Sequence, residues 1–103
     1  MKYSLGYITA PTKKEAEAIV MELLERQLIA CANVFSSVDS FYVWDDAIQK
    51  DKELVIVLKT REVNEEKIIK LVKKMHSYEC PCIVFVPMSY GNKDFLKWIS
   101  SSC

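Results

Sequence analysis

The sequence holds only two glycines, three prolines and one histidine in 103 residues, and its 14 Lys and Arg balance its 14 Asp and Glu. Each scarcity excludes something. With so few chain breakers there is no linker and no Gly-rich phosphate loop, and a G-x-S-x-G elbow is also absent. One histidine is too few for a catalytic metal cluster, so an enzyme is not expected. Zero net charge leaves no field that would hold nucleic acid or an anionic membrane. The longest apolar runs, "LVIVL" (54–58) and "CIVFVPM" (82–88), fall far below the roughly 18 residues that span a bilayer. The opening "MKYSLGYITAPTKKEAE" has neither a long apolar stretch nor a cleavage site, so it does not read as a secretory signal and a cytoplasmic location is expected. Four cysteines in such a chain read as thiols rather than as a disulfide framework.

What remains reads as one domain over residues 1–103, half apolar and 27% charged. "YSLGYIT" (3–9) alternates as a strand does, with Tyr3, Leu5 and Tyr7 on one face. Thr12 and Glu15 form a capping box, and Ala16, Ile19, Val20, Leu23, Leu24 and Leu28 continue as a helical stripe ending near Leu28. Two long strands, 30–44 and 47–60, flank a turn at Asp45–Asp46. A second helix over 63–75 has Asn64 as its N-cap, Val63 stapled onto Ile68, acidic residues in its first turn and lysines in its last. "CIVFVPM" reads as a fourth strand covered on both faces, and "NKDFLKWI" (92–99) as a short last helix.

The order βαββαβ plus a C-terminal helix predicts an α+β fold, the ferredoxin-like split βαβ sandwich with a long hairpin between its second and third strands. Both helices then cover one face of the sheet. The third strand is apolar on both sides, and the hairpin end carries Phe41, Tyr42, Val43 and Trp44, so the other face predicts a homo-oligomer. The third strand also lacks the paired surface aromatics of an RNA-binding sheet.

"ACANV" (30–34), "SFYVW" (40–44), "KT" (59–60), "HSYECPCI" (76–83) and "NKDFLKWI" (92–99), in this order and spacing, closely resemble the CutA family of divalent-cation tolerance proteins. The resemblance covers nearly the whole chain. It implies a ferredoxin-like fold assembled as a tight homotrimer, a link to copper or other divalent metal ions, and a shape like the trimeric PII signalling proteins. The chain departs from the family pattern at three places: Ser77 stands where the family usually has proline, Asp46 where it has glycine, and Ile8 where some bacterial members carry a cysteine as a proposed metal ligand.

Two constellations carry chemistry. His76, Cys80 and Cys82 are the candidate metal ligands, a thiolate and imidazole set suited to a soft ion such as Cu(I). The same residues also read as a histidine at a helix C-terminus followed by two cysteines that face the core or an interface, in which case any metal binds mainly through His76, with Cys31 in the core and Cys103 a loose terminal thiol. No metal is expected to be needed for folding. The resemblance further implies that Asn33, Trp44, Glu53, Lys59, Tyr78, Glu79 and Trp98 gather in a cleft between subunits. The leading expectation is therefore a non-catalytic trimer that binds copper or another divalent metal ion. The alternative is a PII-like sensor or scaffold that takes a small anionic ligand or a partner protein in that cleft.

Overall fold

β1 (Tyr3–Ala10) runs along the centre of the sheet, and its alternation organises the molecule: Ser4, Ile8 and Ala10 are fully buried, whereas Tyr7 faces outward. This is a computed structural model, and it describes all 103 residues. The other elements are α1 (Lys13–Glu25), β2 (Cys31–Trp44), β3 (Ala47–Arg61), α2 (Glu65–Met75), β4 (Ile83–Pro87) and α3 (Lys93–Ser102). Four antiparallel strands lie in the order β2-β3-β1-β4, so the expected α+β, ferredoxin-like βαββαβ arrangement with an added C-terminal helix is the one observed.

The core lies on one face of the sheet. Ile8 and Ala10 of β1 and Leu54, Ile56 and Leu58 of β3 meet Ala16, Ile19 and Leu23 of α1 and Ile68 and Val72 of α2. Gly6 shares this face because a Cβ there would come within 2.6 Å of the Leu58 side chain and 3.0 Å of Phe85. The opposite face is open. Tyr7 pairs with Val57 on one side and Val84 on the other, and Tyr7, Val84, Val86 and Phe35 are all exposed. Within one chain β4 is covered on one face only: Ile83 and Phe85 pack on the core, but Val84 is 51% and Val86 54% exposed.

Element ends depart from the sequence reading in instructive ways. Thr12 does cap α1, its side chain accepting from the Glu15 N–H at 3.2 Å. The helix stops at Glu25 rather than near Leu28, because Gln27 takes a left-handed φ of 56° and the N–H groups of Leu28 and Gln27 turn back to the carbonyls of Leu23 and Leu24. Asn64 precedes α2 but does not cap it. A 3-10 turn at Glu62–Asn64 buries the Asn64 side chain, which donates to Thr60 Oγ1 at 3.3 Å, and leaves Val63 exposed with no staple. In α3, Asn92 caps the helix by accepting from the Phe95 N–H at 2.8 Å.

Candidate functional site

The two-residue period of the hairpin decides which of its side chains meet. Ser40, Tyr42 and Trp44 of β2 share a face with Asp51 and Glu53 of β3, through the pairs Tyr42↔Gln49, Ser40↔Asp51 and Val38↔Glu53. Phe41 stands on the other face, where Lys50 Nζ lies 5.6 Å from its ring centroid. A bulge between Phe35 and Val38, with Ser37 at a φ of 62°, resets the register just before this polar stretch.

A loop closes the site from the side. α2 ends at Met75 because His76 is extended, and the histidine side chain turns inward to only 8% exposure. Its Nε2–H donates to the Thr9 carbonyl at 2.7 Å, and its Nδ1 accepts from the Tyr78 N–H at 3.1 Å, which makes the ring a neutral Nε2–H tautomer. Glu15 Oε2 lies 3.3 Å from Nδ1 and accepts from the Ser77 N–H at 3.1 Å. The His76 and Tyr78 rings meet tilted at 48° with centroids 4.7 Å apart, and the Tyr78 hydroxyl donates to Glu53 Oε2 at 2.5 Å. His76 thus ties the loop to β1 and α1 and aims Tyr78 at the hairpin.

Between loop and hairpin lies a groove of about 590 Å³, bounded by Thr9, by Ser40 to Trp44, by Glu53, and by Tyr78, Glu79, Cys80 and Cys82. Of the seven expected cleft residues, the chain brings four together here: Trp44, Glu53, Tyr78 and Glu79. The other three lie apart. Lys59 Nζ donates to Asn33 Oδ1 far down the β2–β3 ladder, and Val38, the partner of Glu53, is five residues from Asn33, roughly 16 Å in an extended strand. Trp98 packs against Phe95 on α3, the rings tilted at 35° with centroids 5.4 Å apart, and this helix is anchored at the opposite end of the sheet by Tyr3 Oη to Ser100 Oγ at 2.5 Å. Tyr42 is a groove residue that the sequence reading did not single out; its hydroxyl donates to Asp51 Oδ2, and its two-residue spacing from Trp44 is the signal that identifies it.

The cysteines also depart from expectation. Cys80 and Cys82 precede β4 rather than lying in it, and both are exposed rather than buried. Cys31 and Cys103 are half-buried, and Cys103 is held, its Sγ donating to the Ile99 carbonyl at 3.5 Å. All four thiols are free. Partial burial in the groove wall, then Glu53, then Cys80, raise the Cys82 thiol above its usual value. Burial first, then the hydrogen bond to Glu53, push the Tyr78 phenol far above its ordinary range, and the bond to Asp51 raises Tyr42.

As a resident metal centre the site fits poorly. No three His, Cys, Asp or Glu side chains gather as a metal-binding group, and both ring nitrogens of His76 serve internal hydrogen bonds. Nor does the groove suit an anion: its charged lining is Glu53 and Glu79, with no Lys or Arg. No helix is long and apolar enough to cross a membrane.

The profile of the CutA1 divalent ion tolerance protein matches residues 4–102. The divalent-cation tolerance protein CutA of Archaeoglobus fulgidus is 43% identical over 96 residues, 93% of each chain, and that of Pyrococcus horikoshii is 40% identical over 93 residues, 90% of each. The solved structure described as the periplasmic divalent cation tolerance protein CutA of Archaeoglobus fulgidus superposes with a TM-score of 0.94 at 41% identity, covering 97% of each chain. The match spans almost the whole chain in sequence and in architecture, and the chain belongs to the CutA1 divalent ion tolerance family.

Proposed function

We propose that this member of the family is a non-catalytic homotrimer that binds copper or another divalent metal ion, without needing it to fold. The observation that carries the metal reading is the placement of two thiols: Cys80 and Cys82 are free, exposed and on the wall of one groove. Thiolates are soft donors and select Cu(I) over harder ions. His76 serves as a positioning residue, holding the loop that presents them. The trimer is supported by the open apolar face of the sheet, and the cleft between subunits would include Trp44, Glu53, Tyr78 and Glu79. A cytoplasmic location suits four unpaired cysteines.

Calorimetry of the purified protein against Cu(I), Cu(II), Zn(II) and a nucleotide panel tests this reading. Saturable Cu(I) binding is expected, preferred over Zn(II), weakening as the thiolates are protonated in acid, and lost in the double variant Cys80→Ser, Cys82→Ser. His76→Ala should keep copper binding while losing thermal stability. If the double serine variant binds copper like the parent, or a nucleotide binds and copper does not, the reading fails.

A further inference from the structure

A second groove lies in the helix layer, on the side of the sheet away from its open face. It encloses about 340 Å³ between the turn that follows α1 and one face of α2, and is bounded by Arg26, Leu28, Lys67, Lys70, Leu71 and Lys74. The left-handed Gln27 ends α1 and leaves Arg26 and Leu28 beside α2. Leu28 and Leu71 are half-buried against the core, and the Leu28 carbonyl accepts from Thr60 Oγ1 at 2.6 Å, which ties this turn to β3. No strand or hairpin residue lines the groove, so copies that meet across the open face of the sheet leave it uncovered.

The chain as a whole carries no net charge, yet four cations and no carboxylate line this groove. Lys67, Lys70 and Lys74 recur at three- and four-residue spacing along one face of α2, and none of the chain's four ion pairs includes them. Like charges at these spacings repel, and a merely solvated helix face is served better by acids among the lysines. The helix dipole accounts for Lys74 in the last turn. It opposes Lys67, the third residue of α2, where the N-terminal end favours acids. Arg26 differs from the lysines, because its Nε–H donates to Glu22 Oε1 at 2.9 Å. That bond holds the plane of the guanidinium and leaves both of its Nη groups without a partner in the chain. Glu22 offsets one of the four positive charges, and the three lysines remain uncompensated.

We propose that this groove binds a linear phosphate chain, the di- or triphosphate group of a small anion, with Lys67, Lys70 and Lys74 along its length and the free Nη groups of Arg26 forking one phosphate. Lys67 and Lys74 stand about 10 Å apart along the helix axis, a span that a chain of phosphates follows and a single tetrahedral anion does not. Lysine meets phosphate oxygens as a point charge and arginine meets them as a two-pronged donor, so the set suits this chemistry. The volume of about 340 Å³ lies at the small end of ligand sites, enough for the phosphates while any attached organic group stays in solvent. The inference is independent of copper binding by the thiols and goes beyond it.

The test titrates the assembled full chain with sodium tripolyphosphate in metal-free buffer, by calorimetry and by thermal melting, with sodium sulfate at matched ionic strength as the comparison. Tripolyphosphate should bind saturably and raise the melting temperature, and sulfate should bind roughly tenfold more weakly or worse. The double variant Lys67→Gln, Lys70→Gln should weaken tripolyphosphate roughly tenfold or more, since it removes two charge-assisted contacts. Lys14→Gln with Lys73→Gln removes the same charge from outside the groove and should weaken it by no more than about twofold. All four lysines are exposed, so both variants should fold like the parent. Arg26→Lys keeps the charge but loses the fork and should weaken binding several-fold. Absence of saturable tripolyphosphate binding overturns the proposal, as does equal binding of sulfate. Equal losses in the two double variants overturn it too, because the anion would then be held by the general field of the chain rather than by this groove. With no metal present and every cysteine intact, none of these outcomes depends on the copper reading.

Discussion

Tyr78 and Cys82 hold their protons more tightly in the folded chain than in the unfolded one, and this sets the sign of a pH effect. For both groups burial is the first cause and Glu53 adds to it, lifting them above the usual 10.0 and 9.0. Over the range between unfolded and folded values the folded state binds more protons, so stability falls as pH rises. Their contribution is full below pH 9.0, the usual thiol value, and is lost as pH climbs through the folded values. Urea midpoints measured at increasing alkaline pH should therefore fall in the parent and fall less steeply in Cys82→Ser. Tyr78→Phe should start lower at neutral pH, having left Glu53 without its donor, and also show the flatter slope. Parallel profiles for parent and variants would mean that neither group is coupled to the groove.

Among the elements, the hairpin tip shows a compromise. Asp45 and Asp46 have φ of 51° and 59°, the doubly left-handed geometry of a two-residue turn that matches strand twist and favours glycine. Aspartate tolerates this region better than most residues, but its Cβ still strains, and two adjacent carboxylates repel. Asp46→Gly should stabilise the protein by about 0.5 kcal/mol, the relief of strain exceeding the added chain entropy. A urea midpoint that stays level or drops would show that the Asp46 side chain makes a stabilising contact. Element identity was legible because helices and strands carry their periods along the chain: the stripe from Ala16 to Leu23 and the alternation of β1 can be read without a partner. Their ends were not, because ends depend on distant groups. Asn64 caps nothing because Thr60, on another element, takes its amide. The groove was half legible for the same reason. Trp44, Glu53, Tyr78 and Glu79 come together only through the His76 bonds that fold the loop against β1. Asn33, Lys59 and Trp98 were grouped with them by resemblance, and no local pattern placed them there.

For the whole molecule, shape argues for assembly. The chain exposes 6915 Å², where a compact monomer of 11.9 kDa exposes about 6000 Å². Its radius of gyration of 14.3 Å likewise exceeds the roughly 13 Å of a compact chain of this length, because the hairpin stretches it to 45 Å. The surplus is on the order of the 800 Å² that one partner contributes to a standard interface, and it is apolar where it matters, at Tyr7, Phe35, Val84 and Val86. Val84 is the informative position. It pairs with Tyr7 on the central strand and is half exposed, so in a lone chain a charge there should change stability by no more than about 0.5 kcal/mol. In an assembly that buries this face, the same charge would be desolvated without a partner and would strongly oppose association. Light scattering on the parent should give about 36 kDa, three times the chain mass, and Val84→Glu should shift this toward 12 kDa with a lower melting temperature that no longer depends on concentration. An unchanged mass in Val84→Glu would mean that the open face of the sheet is not where the copies meet.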